Sequence, residues 1–254
     1  MIRTVLRQLS SGKRSLSNWD CDLFFREGDR DHLEDDCSIL EQSGERILMK
    51  SPQGSEEFIA EQKKILSENP ECASSSYNLG VSLIQQGKFD EAIDAFNESI
   101  ANSGRMFEAY VNLGYIFFKK GELDKVVDAN SKAVEIEPRY ARGYANLGFA
   151  YLQMARTEDA IEALEKAIDL NSGIVQAWSN LVNAHLQNDD IETAIETGEK
   201  MLEIAPDFAL GHNNLASAYY NNGDYDKAIE HLDKAVSLGF EPHPEFLERL
   251  KAYR

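Results

Sequence analysis

The chain has 254 residues, 43% of them hydrophobic, and a formal net charge of −18 from 26 Lys and Arg against 44 Asp and Glu. That length supports a sizeable core, and that charge disfavours a polyanion, so no nucleic-acid partner is expected. No run approaches the roughly 18 consecutive apolar residues of a membrane span, and three cysteines (Cys21, Cys37, Cys72) without a CxxC pair do not form a disulfide framework. Integral membrane association is therefore not expected, and a reducing, cytoplasmic setting is.

Residues 1–54 hold eight Lys/Arg and ten Asp/Glu among Ser, Asn and Gly with no sustained apolar period, the composition of a mostly disordered segment. Its first 19 residues are basic (Arg3, Arg7, Lys13, Arg14) and free of acid, with Ile2, Val5, Leu6 and Leu9 at helical spacing. Three readings fit: an unstructured tail, a surface-seeking helix, or an organellar presequence that would place the protein in an organellar matrix. Cys21, His32 and Cys37 lie close together in an acidic context, but their gaps of ten and four residues are poor zinc-ligand spacing.

Over 55–72, Phe58, Ile59, Gln62, Ile65 and Leu66 before Pro70 predict one N-terminal capping helix. A period of 34 residues then begins. Leu79, Leu113, Leu147, Leu181 and Leu215 stand 34 apart without insertion, each preceded by Asn: Asn78, Asn112, Asn146, Asn180 and Asn214. With Ala73 as position 1, five repeats cover 73–106, 107–140, 141–174, 175–208 and 209–242. Each predicts two helices. The first has an aromatic residue or His at position 4 or 5 (Tyr77, Tyr110, Tyr144, Trp178, His212), Leu at 7, and a small residue at 8 in four copies (Gly80, Gly114, Gly148, Ala216). A turn at position 15 carries Gly87, Gly121 and Gly223. The second has Ala at 20 in four copies, and Pro138 and Pro206 at 32 end two repeats. Residues 243–254 predict a closing helix with Phe246, Leu247, Leu250 and Tyr253 on one face.

An aromatic, then Leu-Gly, then Ala, then Pro at a 34-residue period resembles the tetratricopeptide repeat family over 73–242. A single helix pair cannot bury both its apolar faces, so neighbours must stack, which independently argues an all-α solenoid. The resemblance implies a right-handed α-solenoid whose first helices line a concave groove. At the groove positions stand Tyr77, Asn78, Val81 and Ile84, then Val111, Asn112, Tyr115 and Phe118, then Ala145, Asn146, Phe149 and Leu152. The last two repeats contribute Ser179, Asn180, Asn183 and Leu186, then Asn213, Asn214, Ser217 and Tyr220, so the lining passes from aromatic and apolar to amide-rich. An Asn carboxamide has one acceptor and two donors, enough to hold an extended peptide backbone or to bond locally between repeats. The family's carboxylate clamp is not matched: Tyr77 and Val81 stand where it needs Lys and Asn.

No motif for acyl transfer, phosphate binding, dinucleotide binding or zinc proteolysis is present. His185 at core position 11 and His212 in the aromatic column read as hydrogen-bonded structural residues. The acids have a helical explanation: position 18 is acidic in every repeat, where a helix begins. Position 22 is acidic in every repeat too, with Lys132, Lys166, Lys200 and Lys234 four residues on, which predicts i,i+4 pairs. Repeat four departs most, with Val182 at position 8, Asp189 at the turn and Gly198 at 24, which removes a core side chain; where Val182 from the other helix does not fill that space, a cavity and a weak point are expected. The expectation is a non-catalytic, cofactor-free interaction scaffold or assembly factor that binds a peptide or helix of another protein. The peptide site would use the five Asn with Tyr77, Tyr115, Phe118, Phe149 and Leu152. The alternatives are self-assembly, or a redox- or metal-responsive regulator using Cys21, His32 and Cys37.

Overall fold

The computed structural model describes residues 54–254; the basic segment 1–19 and Cys21, His32 and Cys37 lie outside them. The described residues form twelve α-helices and no strand: α1 (Glu56–Glu68), α2 (Ala73–Gln85), α3 (Phe89–Asn102), α4 (Phe107–Lys120), α5 (Leu123–Ile136), α6 (Ala141–Gln153), α7 (Thr157–Leu170), α8 (Val175–Gln187), α9 (Ile191–Ile204), α10 (Ala209–Asn222), α11 (Tyr225–Ser237) and α12 (Pro244–Lys251). They fall into two compact units, 54–143 and 144–254.

Every helix pair from α2–α3 to α10–α11 is joined by the same left-handed turn. Its position-15 residue has positive φ in all five copies: 72° at Gly87, 75° at Gly121, 57° at Ala155, 64° at Asp189 and 88° at Gly223. The next amide then reaches back to the position-11 carbonyl, as in Lys88 N to Leu83 O (2.9 Å), Arg156 N to Tyr151 O (2.9 Å) and Asp224 N to Tyr219 O (3.0 Å). This is the six-to-one bond of the Schellman motif, and it satisfies a carbonyl the helix end would leave unpaired. Two repeats thus adopt with Ala155 and Asp189 a conformation that glycine takes without penalty. The second helices begin with the position-18 acid in their first turn, as with Asp90, Asp124, Glu158, Glu192 and Asp226.

Position 8 marks the closest approach within a pair. A Cβ added to Gly80 would lie 2.7 Å from the Phe96 ring, one on Gly114 2.5 Å from Asn130 Nδ2, and one on Gly148 2.4 Å from Leu164 Cγ. All three neighbours occupy position 24 of the same repeat. Small at 8 therefore goes with larger at 24. Repeat four inverts the pair, with buried Val182 at 8 and Gly198 at 24. The cavity predicted beside Gly198 does not exist, because a Cβ there would lie 2.8 Å from Leu215 Cδ1, and Leu215 is 1% exposed. The next repeat fills the space.

In the first unit this packing gathers Leu79, Leu83, Phe96, Leu113 and Ile116 into one buried cluster. Helix α1 opens the unit with Ser55 accepting from the Phe58 amide (3.1 Å) and buries Phe58, Ile59 and Gln62. Cys72, before α2, is buried and disulfide-bonded. A single such bond is less than the framework the sequence argues against. In the second unit Val182, Met201, Leu215, Leu232 and Leu250 form the corresponding cluster. Helix α12 closes it with Phe246 and Leu250 buried and Tyr253 stacked 3.6 Å from Tyr225.

The surface charges pair differently from the i,i+4 expectation. Lys132 bonds Glu135 (2.7 Å), and Lys234 reaches back to Asp207 (3.2 Å). Lys120 of α4 meets Asp90 of α3 at 2.6 Å, an interhelical pair that periodicity along one helix does not reveal.

The close approach and the turn each set a measurable stability. Replacing glycine inside a helix gains about 0.5–1 kcal/mol of propensity, whereas forcing extra atoms into a packed core costs about 1–3 kcal/mol. Gly198→Leu should therefore lower stability in urea denaturation, and a gain would show that Leu215 yields. At the turn, Ala pays about 1–2 kcal/mol for left-handed backbone against about 0.5–1 kcal/mol of glycine chain entropy. Ala155→Gly should raise stability by about 0.5–1 kcal/mol, with a smaller gain for Asp189→Gly because Asp tolerates that region better.

Candidate functional site

In the first unit the expected peptide-binding residues stand on α2 and α4. Asn112 is buried (6% exposed) and its Nδ2 donates to Tyr77 Oη (3.2 Å) and Glu108 O (3.0 Å). Tyr77 leans on Phe96, ring centres 5.8 Å apart, so one face of this tyrosine belongs to the core while its hydroxyl accepts a bond from the next repeat. Asn78 is half-buried. Tyr115 is half-buried with Lys119 Nζ 5.5 Å from its ring centre, and Phe118 is buried.

In the second unit Asn146 and Leu152 of α6 are buried and Phe149 is half-buried. Asn180 of α8 is half-buried, whereas Asn214 of α10 is buried, donating to Ser179 Oγ (2.9 Å) and Ser179 O (3.3 Å). Tyr220 packs edge-on against Tyr225 (5.5 Å) and Phe246 (5.7 Å), part of an aromatic group completed by Tyr253.

The Asn column therefore divides by burial and bonding. Asn112 and Asn214 each tie their helix to the preceding repeat across 35 residues, and in both cases the residue at position 5 of that repeat carries an oxygen, Tyr77 or Ser179. Asn78 and Asn180 are the members with partial exposure. A hydroxyl at position 5 with Asn 35 residues later is the sequence signal for this cross-repeat bond; reading the Asn column alone misses it.

His185 is buried as its core position predicts, but its Nδ1 lies 3.7 Å from Asp190 Oδ2 and has no hydrogen-bond partner. Burial lowers its pKa below the usual histidine value, against the opposing pull of Asp190 and Glu165. His212 does make the hydrogen bonds expected of it, to Pro206 O and to His231. No sequence pattern singles out His231, which sits at position 23 on an otherwise exposed helix face. Among the described residues no group of three or more His, Cys, Asp or Glu side chains is placed to hold a metal ion. Among them, no helix is long and apolar enough to cross a membrane.

Repeat length, turn and packing are those of tetratricopeptide repeats, and the sequence matches that family over 60–106, 77–141, 146–209 and 209–238. The chain belongs to the tetratricopeptide repeat family, and its fold class is the expected all-α solenoid of helix–turn–helix repeats. The crystal structure of MamA protein is similar, at 26% identity and a TM-score of 0.62 over 66% of this chain and 92% of that one. YrrB, described as a TPR protein with an unusual peptide-binding site, matches at 20% identity and a TM-score of 0.65 over 75% and 97%. PilF of Pseudomonas aeruginosa matches at 22% identity and 0.63 over 72% and 85%. No curated protein matches the sequence significantly.

Because Asn112 and Asn214 are already engaged between repeats, truncating either should cost about 0.5–1.5 kcal/mol, the net worth of an intramolecular hydrogen bond. Urea denaturation of Asn112→Ala and Asn214→Ala without any ligand measures this. Unchanged midpoints would mean that the two amides contribute nothing to repeat stacking.

Proposed function

We propose that the protein is a non-catalytic scaffold or assembly factor whose first helices bind an extended segment of another protein. The observation that carries this reading is the partial exposure of Tyr115 and Phe149, both at position 9 of their repeats. Each leaves part of its ring at the surface, whereas Ile116, next to Tyr115, is fully buried. Family membership supports the same reading, as does the description of YrrB by a peptide-binding site. Tyr115 is the anchor on the first unit and Phe149 the anchor on the second, since aromatic side chains dominate the affinity of such surfaces. In the first unit the half-buried Asn78 offers an amide toward the peptide backbone over an apolar floor of Tyr77 and Phe118; in the second the half-buried Asn180 does so with Leu152, while Asn146 is buried and serves the packing. Asn112 and Asn214 act first as clips between repeats and contribute to a ligand only through what their cross-repeat bonds leave over.

Affinity capture with mass spectrometry identifies the partner. Tyr115→Ala and Phe149→Ala should then each weaken its binding by about 1–3 kcal/mol, or about 5- to 150-fold, with the helical circular dichroism unchanged. Full affinity in both variants would remove the anchors and with them the proposed surface. A partner that proves to be a second copy of the chain is recognised by concentration-dependent mass in sedimentation.

A further inference from the structure

We propose that the last repeat carries an acid-sensitive latch: His212 of α10 and His231 of α11 hold the two helices together while the pair carries at most one extra proton, and release them when it carries two. The two Nδ1 atoms lie 3.0 Å apart and the rings stack with centres 5.2 Å apart. His212 Nε2 lies 2.8 Å from Pro206 O. A carbonyl only accepts, so Nε2 of His212 bears hydrogen, and its Nδ1 in the neutral ring is a lone pair. His231 must then donate from Nδ1. The arrangement is closed and each ring has one assigned tautomer.

One added proton fits this geometry. Placed on Nε2 of His231, it leaves the Nδ1–H to Nδ1 bond intact and makes it charge-assisted. A second proton has only Nδ1 of His212 to go to, which sets N–H against N–H at 3.0 Å and two cations in stacked rings. The pair titrates as a unit with two macroscopic steps, and the second is the one that breaks the contact.

Charged and titratable groups surround the pair on every packed element. Tyr219 of α10 stacks on His231 (5.5 Å, 14°) and donates to Glu199 of α9 at 2.5 Å. Lys227 of α11 sits 4.7 Å over the Tyr219 ring, Glu230 flanks His231, and Asp224 lies at the turn. Lys234, one turn beyond His231, holds Asp207 beside Pro206. Burial lowers the His231 pKa, His212 and Lys227 lower it further, and Glu230 and Glu199 oppose them. A folded-state value below the unfolded one, about 6.5, means that the unfolded chain binds more protons. His231's contribution is complete above that pH and is lost as pH falls through the window beneath it, where the first proton binds; the contact itself breaks only when the second sets N–H against N–H. The latch thus favours a closed repeat at neutral pH and an open one in acid. Opening separates α11 from α10, the helix that carries Asn213, Asn214 and Ser217.

The test uses the full chain. Amide exchange over 209–237, corrected for the intrinsic pH dependence, should accelerate about tenfold or more between pH 7.5 and pH 5, the response of a locally opening unit. His212→Phe keeps an aromatic ring in the column and removes the second protonation site, so that acceleration should vanish. His185 is present in both proteins and cancels from the comparison. Imidazole NMR on the wild-type chain decides independently of whether the variant folds. Two separated imidazole titration steps in the folded chain support the latch. Equal acceleration in His212→Phe, or both rings protonating together at the ordinary value in the folded chain, overturns it.

Discussion

Where the first helix of a repeat crosses the second there is room for one side chain, and the rest of each unit is arranged around that space. Gly80, Gly114 and Gly148 leave it to Phe96, Asn130 and Leu164. Repeat four gives it to Val182 and leaves Gly198 facing the next repeat, where Leu215 takes the vacated volume. What recurs is that one of the two positions is small, not the identity of either residue. This is what close packing requires, since interiors at crystal-like density tolerate neither a gap nor an overlap of a methyl group. It also explains how a repeat that loses its small residue, its turn glycine and its large residue at once remains folded: the first and third losses cancel, and the turn is held by backbone bonds that Asp189 completes as glycine does.

Polar side chains couple what the crossings build. Asn112 reaches Tyr77 and Asn214 reaches Ser179, each from one repeat to the one before, and Lys120 reaches Asp90 in the same direction. Such nearest-neighbour terms make a repeat array cooperative. They also set a limit on function, because an amide donor already satisfied by a neighbouring repeat has less to offer a ligand. In the proposed reading Tyr115 and Phe149 therefore rank above the Asn column as anchors, because aromatic area dominates the affinity of such surfaces. Within the last repeat the coupling is of another kind: two imidazoles, a tyrosine and a glutamate span α9, α10 and α11, and their contact depends on proton count.

Much of this was legible without coordinates. A strict period of 34 with Leu at position 7 and a small residue at 8 is enough to define two helices per repeat, because a helix pair with both faces apolar must stack and the residue at its closest crossing must be small. The turn at position 15 was set by three glycines, and the acids at position 18 by the dipole of the helix they open. The closing face of Phe246, Leu247, Leu250 and Tyr253 came from spacing alone.

Other features depend on distances between residues that no local pattern relates. Periodicity says that Gly198 removes a side chain; only the approach of Leu215, 17 residues on, decides that no cavity results. The Asn column looks uniform in sequence, yet Asn112 and Asn214 bond a hydroxyl at position 5 of the preceding repeat, whereas the repeats before Asn146 and Asn180 carry Val111 and Ala145 there and offer none. Lys132 and Lys234, offered to i,i+4 acids, turn to other partners, since exposed ion pairs are nearly isoenergetic and small positional differences choose among them. His212 and His231 stand 19 residues apart on different helices, and nothing in their sequence spacing brings two Nδ1 atoms to 3.0 Å. The sequence by itself determined the period, the helices and the crossings, which arise from local propensity and burial; tertiary structure alone decided which polar groups meet, because hydrogen bonds are directional and short-ranged whereas hydrophobic burial is neither.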